Sequence, residues 1–110
     1  MKQQLDEILK EYEGRKCGVY LLHGDLTDEE MHSLYNHSKV KALYSLSHGE
    51  GYGLPMFEAA YSGLPVVCPD WGGQIDFLYI EEKGKKKAMF NQISFDLKPV
   101  QKEAVWPTVI

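Results

Sequence analysis

Two carboxylates eight positions apart, Glu50 and Glu58, frame the most chemically loaded stretch of this 110-residue chain. Between them stand Gly51, Tyr52, Gly53, Leu54 and Pro55. Glycines so close together cost too much conformational entropy in a helix or strand, so the first half reads as a loop. Pro55 suits the first turn of a helix, and Gly63 suits the position just past its end. The sequence therefore predicts a glycine-rich loop feeding a short helix that opens near Leu54. Glu50 then lies in the loop and Glu58 on the second helical turn. The unpaired N–H groups and partial positive charge of a helix start attract anions, phosphate above all. Such a stretch can hold a phosphate on backbone amides and sugar hydroxyls on carboxylates. The same two residues also suit a plainer role, complementing the helix dipole.

The elements that must position this stretch follow from hydrophobic period and breakers. Val40 to Leu46 reads as a strand that delivers the chain to the loop, and the helix runs from Pro55 to Ser62. Gly63-Leu64-Pro65 is a turn, and Val66 to Cys68 a short apolar strand. Pro69 to Gly73 is a second glycine loop, opening a helix at Gln74 to Leu78; its Gly72-Gly73 pair fits a phosphate site or a plain turn. Upstream, Lys2 to Glu13 reads as an amphipathic helix with Leu5, Ile8, Leu9 and Tyr12 on one face. Cys17 to Leu22 reads as a strand buried on both faces, with His23 to Leu26 as its exit loop. Thr27 caps a further helix, and Glu30 completes a capping box.

Strands alternating with helices imply right-handed βαβ units and a parallel sheet, an α/β, three-layer Rossmann-like architecture. Ligands bind such sheets beyond the carboxyl ends of the strands, where the loops after Leu22, Leu46 and Cys68 converge. After Tyr79 the pattern degrades. Glu81 to Lys87 reads as a charged turn, Ala88 to Ile93 and Ser94 to Leu97 as short strands, and Pro99 to Ile110 has no clear period. Residues 1–80 form the expected core and residues 81–110 a poorly defined extension of the same domain.

The whole composition sets limits. A 44% hydrophobic and 25% charged chain of this length suits one small domain. A net charge of -4 argues against nucleic-acid binding through a basic face. The first residues lack a signal peptide's apolar region, and no apolar run is long enough for a membrane helix. Cys17 and Cys68, both flanked by apolar residues, read as buried thiols in a reducing cytoplasmic setting. His23 and His48 precede strand-exit glycines, but loop histidines are usually not ligands; His32 and His37 read as surface residues. Tyr12, Tyr20, Tyr35 and Tyr44 read as core or sheet-face aromatics.

From Glu50 to Val67 the chain resembles the retaining glycosyltransferases of the GT-B fold, specifically the large group 1 family (family 4) with its Glu-x7-Glu motif. The matching residues are Glu50, Gly51, Tyr52, Gly53, Leu54, Pro55, Glu58, Ala59, Gly63, Pro65, Val66 and Val67. The resemblance covers about residues 15–80. It implies a nucleotide-diphosphate sugar as donor substrate, no cofactor and no metal. It makes Glu58 the acceptor of ribose hydroxyls and Glu50 the active-site contact to the donor sugar. Gly51, Tyr52, Gly53 and Leu54 then wrap sugar and diphosphate, and Gly24, Asp25 and Leu26 lie against the base. It also implies that the chain is part of a C-terminal donor-binding domain, without the N-terminal acceptor domain or the basic pair that neutralises the diphosphate. The acceptor (sugar, lipid or glycan) is not specified. Such a piece is expected to be inactive alone and to pair with a second copy through exposed surface. The alternative is a non-catalytic nucleotide-sugar binding or interaction module.

Overall fold

The computed structural model describes residues 2–99 and centres on a three-stranded parallel sheet, ordered β1-β2-β5. β1 is Leu43–Tyr44, β2 is Val66–Pro69 and β5 is Asn91–Ile93. Leu43 is in register with Val66, while Val67, Cys68 and Pro69 oppose Asn91, Gln92 and Ile93. Two further backbone bonds carry the pairing past the strand ends, Ser45 N–H to Val67 O and Asp70 N–H to Ile93 O. The connection from β1 to β2 is helix α3, Leu54–Tyr61. The connection from β2 to β5 holds helix α4, Ile75–Leu78, and an antiparallel hairpin of β3, Tyr79–Glu82, with β4, Lys85–Ala88. The α/β architecture with a parallel sheet is thus as the sequence predicts.

The core follows from the periods of these segments. β2 alternates, burying Val66 and Cys68 and leaving Val67 and Pro69 half-buried. Helix α3 buries Met56 and Ala59, three positions apart on one face. With Tyr35, Leu64, Leu78 and Phe90 these residues form one cluster. Full burial of a side chain such as Met56 or Leu78 contributes about 1.5–3 kcal/mol.

Several expectations are corrected. Cys17 to Leu22 forms no strand, and its apolar residues are exposed, Tyr20 at 93%. An apolar run becomes a buried strand only if a neighbour completes its backbone ladder and helices cover it. Among the described residues no strand lies alongside, and Val19 and Leu21 instead line a cavity with Leu5 and Leu9 of helix α1, Lys2–Glu11. Cys17 is consequently exposed, while Cys68 is buried. Tyr12, Tyr20 and Tyr44 are also exposed, leaving Tyr35 as the core tyrosine of that group. Finally, Glu81 to Lys87 is a hairpin, not merely a turn. Lys83 and Gly84 both take positive φ, the conformation of a tight two-residue connection.

The sheet's third strand comes from Asn91–Ile93, and Ser94 to Leu97 forms no strand. Of the segment Pro99 to Ile110, read as having no clear period, residues 100–110 lie outside the described residues. No helix among the described residues is long and apolar enough to cross a membrane.

Helix α2, Asp28–Tyr35, starts with the predicted capping box. Thr27 Oγ1 accepts from Glu30 N–H at 3.2 Å, and Glu30 Oε2 accepts from Thr27 N–H at 3.1 Å. The far end of α2 carries the buried Tyr35. Thr27→Ala should therefore destabilise the fold by about 1 kcal/mol. A urea midpoint unchanged from that of the unsubstituted chain would show that α2 forms without its cap.

Candidate functional site

Two glycine-rich loops leave the carboxyl ends of β1 and β2 and lie side by side. Gly73 N–H donates to Glu50 O at 3.0 Å. A Cβ on Gly73 would overlap the Gly51 carbonyl, so the backbones touch where a side chain has no room. Gly53 adopts φ 90° and ψ 54°, left-handed backbone that suits glycine, and caps α3. A Cβ there would lie 3.0 Å from Met56 Cε and 3.1 Å from Gln74 Cβ. At the upstream end of the first loop, the Trp71 ring is 3.7 Å from where a Gly49 Cβ would sit. The loops are thus matched position by position: Gly49 with Trp71, Gly51 with Gly73, Gly53 with Gln74.

Gln74 fastens the second loop from inside. It is 1% exposed, and its Nε2 donates to Pro69 O at 3.1 Å and to Trp71 O at 2.6 Å. Flipping the amide would set its acceptor oxygen against two carbonyls, so the donors fix its orientation. Its Oε1 is buried without a hydrogen-bond partner among the described residues. Of the two readings of Gly72-Gly73, the geometry fits a packed turn: Gly73 faces the first loop, and the α4 that follows has four residues. Sequence reasoning passed over Gln74 and Trp71. The glycine pair was the available signal, because backbone needs such room when another backbone approaches.

The predicted site residues sort as follows. Glu50 is partly buried in the first loop, with its carbonyl held by Gly73. Glu58 is exposed on the second turn of α3. The start of α3 has Pro55 in its first turn and no side-chain cap, and Leu54 is 60% exposed beside it. Tyr52 is in the loop as predicted, but its ring packs with Phe77 (centroids 4.9 Å apart) and Phe57 (5.9 Å). Phe57 and Phe77 meet edge-on at 5.3 Å, an arrangement aromatic pairs favour. The Tyr52 side chain therefore pins the loop to α3 and α4. Gly24, Asp25 and Leu26 are exposed just before the α2 cap. Without the expected strand, the sheet does not carry them to its ligand end, and no hydrogen bond joins them to the Glu50 loop.

The electrostatics of the site are mainly acidic. No Arg or Lys occurs between Lys41 and Lys83. Burial pushes the Tyr35 phenol above its ordinary pKa. The charge of the nearby Glu58 carboxylate raises it further. On the other flank, Asp70 accepts from Tyr79 Oη at 2.6 Å and from Gln92 Nε2 at 3.2 Å, which ties β2 to β3 and β5. No three His, Cys, Asp or Glu side chains among the described residues group closely enough to hold a metal ion.

Residues 1–89 match the family model described as glycosyl transferases group 1. Three Escherichia coli proteins named serotype-specific mannosyltransferase WbdA are each 44% identical to this chain over 46 residues. The match covers 42% of this chain and 5% of each relative, so the chain spans a small fraction of the curated proteins it resembles. No solved structure matches it significantly.

The loop contact predicts that Gly73→Ala destabilises the fold by about 1–3 kcal/mol, the usual cost of overpacking. Denaturant unfolding measures this, and a neutral effect would mean that the loops part freely. The Tyr35 pair has a pH signature. A phenol raised by the fold contributes stability that is complete below its ordinary value of 10.0 and lost as pH rises through the folded value. In an ultraviolet tyrosine titration with Tyr35→Phe as the reference, Glu58→Gln should lower the Tyr35 transition. A transition that stays in place would separate the two groups.

Proposed function

Because the chain belongs to the group 1 glycosyltransferases, we propose that its paired glycine loops bind a nucleotide-diphosphate sugar as donor in a retaining, family 4 transfer reaction. The observation that carries this reading is the placement of Glu50 and Glu58 on either side of the α3 start, at the ligand end of a parallel sheet. In it, Glu58 accepts from the ribose hydroxyls and Glu50 from hydroxyls of the sugar to be transferred. The backbone from Gly51 to Leu54 lies along the diphosphate, whose charge is drawn to the open end of α3. Gly24, Asp25 and Leu26 face the base once the donor is bound. The mannosyltransferase relatives favour a hexosyl group, with mannose the first to test.

The chemistry asked of these residues is positioning and electrostatics. Holding the anomeric carbon at a fixed angle to the acceptor converts an encounter into a near-intramolecular step. The departing diphosphate must be stabilised as its charge develops. The stretch between Lys41 and Lys83 offers only backbone dipoles for that purpose. The proposal therefore takes the cationic group and the acceptor half from outside this stretch. The same lack of cations favours a second reading, a module that binds nucleotide sugars without transferring them.

Calorimetry with GDP and UDP tests the donor reading. Glu58→Gln should weaken binding about tenfold or more, as expected for losing a charge-assisted hydrogen bond. Glu50→Gln should leave nucleoside-diphosphate affinity intact and weaken only the nucleotide sugar. Equal affinities for the unsubstituted chain and Glu58→Gln would remove ribose recognition from Glu58. Sugar transfer by the chain alone would rule out the module reading.

A further inference from the structure

Among the described residues Gln74 is the one fully buried polar side chain, so closed off that no ligand reaches it. Its two ends do different things. The carboxamide Nε2 donates to Pro69 O at 3.1 Å and to Trp71 O at 2.6 Å, which sets the course of the second loop. The other end lies against Gly53: a Cβ built there would be 3.1 Å from Gln74 Cβ and 3.7 Å from Gln74 Cα. Gly53 is the residue that turns the chain into α3, and its carbonyl accepts from Phe57 N–H at 2.9 Å to begin the helix. The Gln74 backbone carbonyl accepts from Leu78 N–H at 3.2 Å, which ties the same residue to α4. Oε1 has no hydrogen-bond partner among the described residues and faces Gly72, 2.6 Å from where a Cβ would sit. An apolar chain of equal length would fill this space without leaving an acceptor unmatched. What it could not do is hold two carbonyls, and that grip is what the amide contributes.

We propose that Gln74 is a positioning residue for the donor diphosphate, setting the α3 start from beneath through Gly53. This inference rests on the reading of the paired loops as the donor site. Backbone N–H groups hold phosphate oxygens well only within a narrow range of distance and angle. In the donor reading those groups belong to Gly51 to Leu54, and Gly53 in their midst rests on Gln74. A second loop released from the carboxamide lets Gln74 shift, and the α3 start shifts with it. Glu58 lies on the next turn, beside the buried Met56 and Ala59 that anchor the helix body, so ribose recognition is spared. Gln74 therefore acts on the phosphates and not on the nucleoside. The coupling is reciprocal: if the grip of Gln74 tightens diphosphate binding, bound diphosphate steadies that grip by the same factor.

Calorimetry on the full 110-residue chain with GDP and GMP tests this, with UDP and UMP as a second pair. Gln74→Met keeps the chain length and the contact with Gly53 but removes both donors. It should weaken GDP about tenfold and change GMP, which lacks the outer phosphate, by less than about threefold. Gln74→Asn, whose carboxamide stops short of the two carbonyls, should also lose GDP preferentially. Equal weakening of both nucleotides would mark a merely structural role and overturn the proposal. The reciprocal measurement needs no variant. In the unsubstituted chain GDP should slow hydrogen exchange of the Gln74 carboxamide protons about tenfold, and GMP should do so far less. Exchange unchanged by saturating GDP, or GDP affinity unchanged in Gln74→Met, would overturn the inference while leaving the donor reading intact. Failure of both GDP and UDP to bind the unsubstituted chain would overturn the donor reading itself, and this role with it.

Discussion

The approach of one glycine backbone to another is the contact on which the site depends. Gly73 presses on the Gly51 carbonyl and donates its N–H to Glu50, and no side chain fits between them. That contact fixes the height at which Glu50 leaves β1 and the point at which Gly53 turns the chain into α3. The Gln74 carboxamide holds the second loop in the shape that makes the contact possible. The candidate site is thus held by two loops that brace each other, neither of them regular structure. Backbone hydrogen bonds and buried Gln74 do here what a longer strand would otherwise do.

The parts of the fold that were legible in the sequence are those decided locally. Gly53, Pro55 and Gly63 punctuate α3 through backbone preference alone, and Thr27 with Glu30 announces α2. The Val66 to Cys68 run is short and apolar, and it does become the central strand. Cys17 to Leu22 shows the limit of that reasoning. Its composition is as apolar as a buried strand, but pairing and coverage are decided by other segments. β5, Asn91–Ile93, falls within the Ala88 to Ile93 run that reads as a short strand, and it joins the sheet because backbone groups of β2 need a partner on that side.

The site was legible as residues and not as contacts. Glu50 and Glu58 could be named from their spacing, because one loop and one helix set their separation. The neighbours that constrain them come from elsewhere in the chain. Tyr35 reaches Glu58 from α2, Gly73 reaches Glu50 from the loop after β2, and Phe77 takes the Tyr52 ring from α4. Each is a long-range pairing that no period or motif encodes. The Asp70, Tyr79 and Gln92 cluster is of the same kind, joining three segments through side chains that look ordinary in isolation.

The matched loops also divide labour between alternate positions. Gly51, Gly53 and Gly73 touch through backbone or through space that must stay empty, so substitution there is constrained by geometry alone. Leu54 and Trp71 stand between or beside those contacts with much of their surface open. The Leu54 side chain, the more open of the two, faces fewer such limits than the glycines beside it. Such an arrangement lets outward residues vary while the backbone contacts beneath them stay fixed. It localises mutational tolerance and mutational intolerance on neighbouring residues of the same short loops.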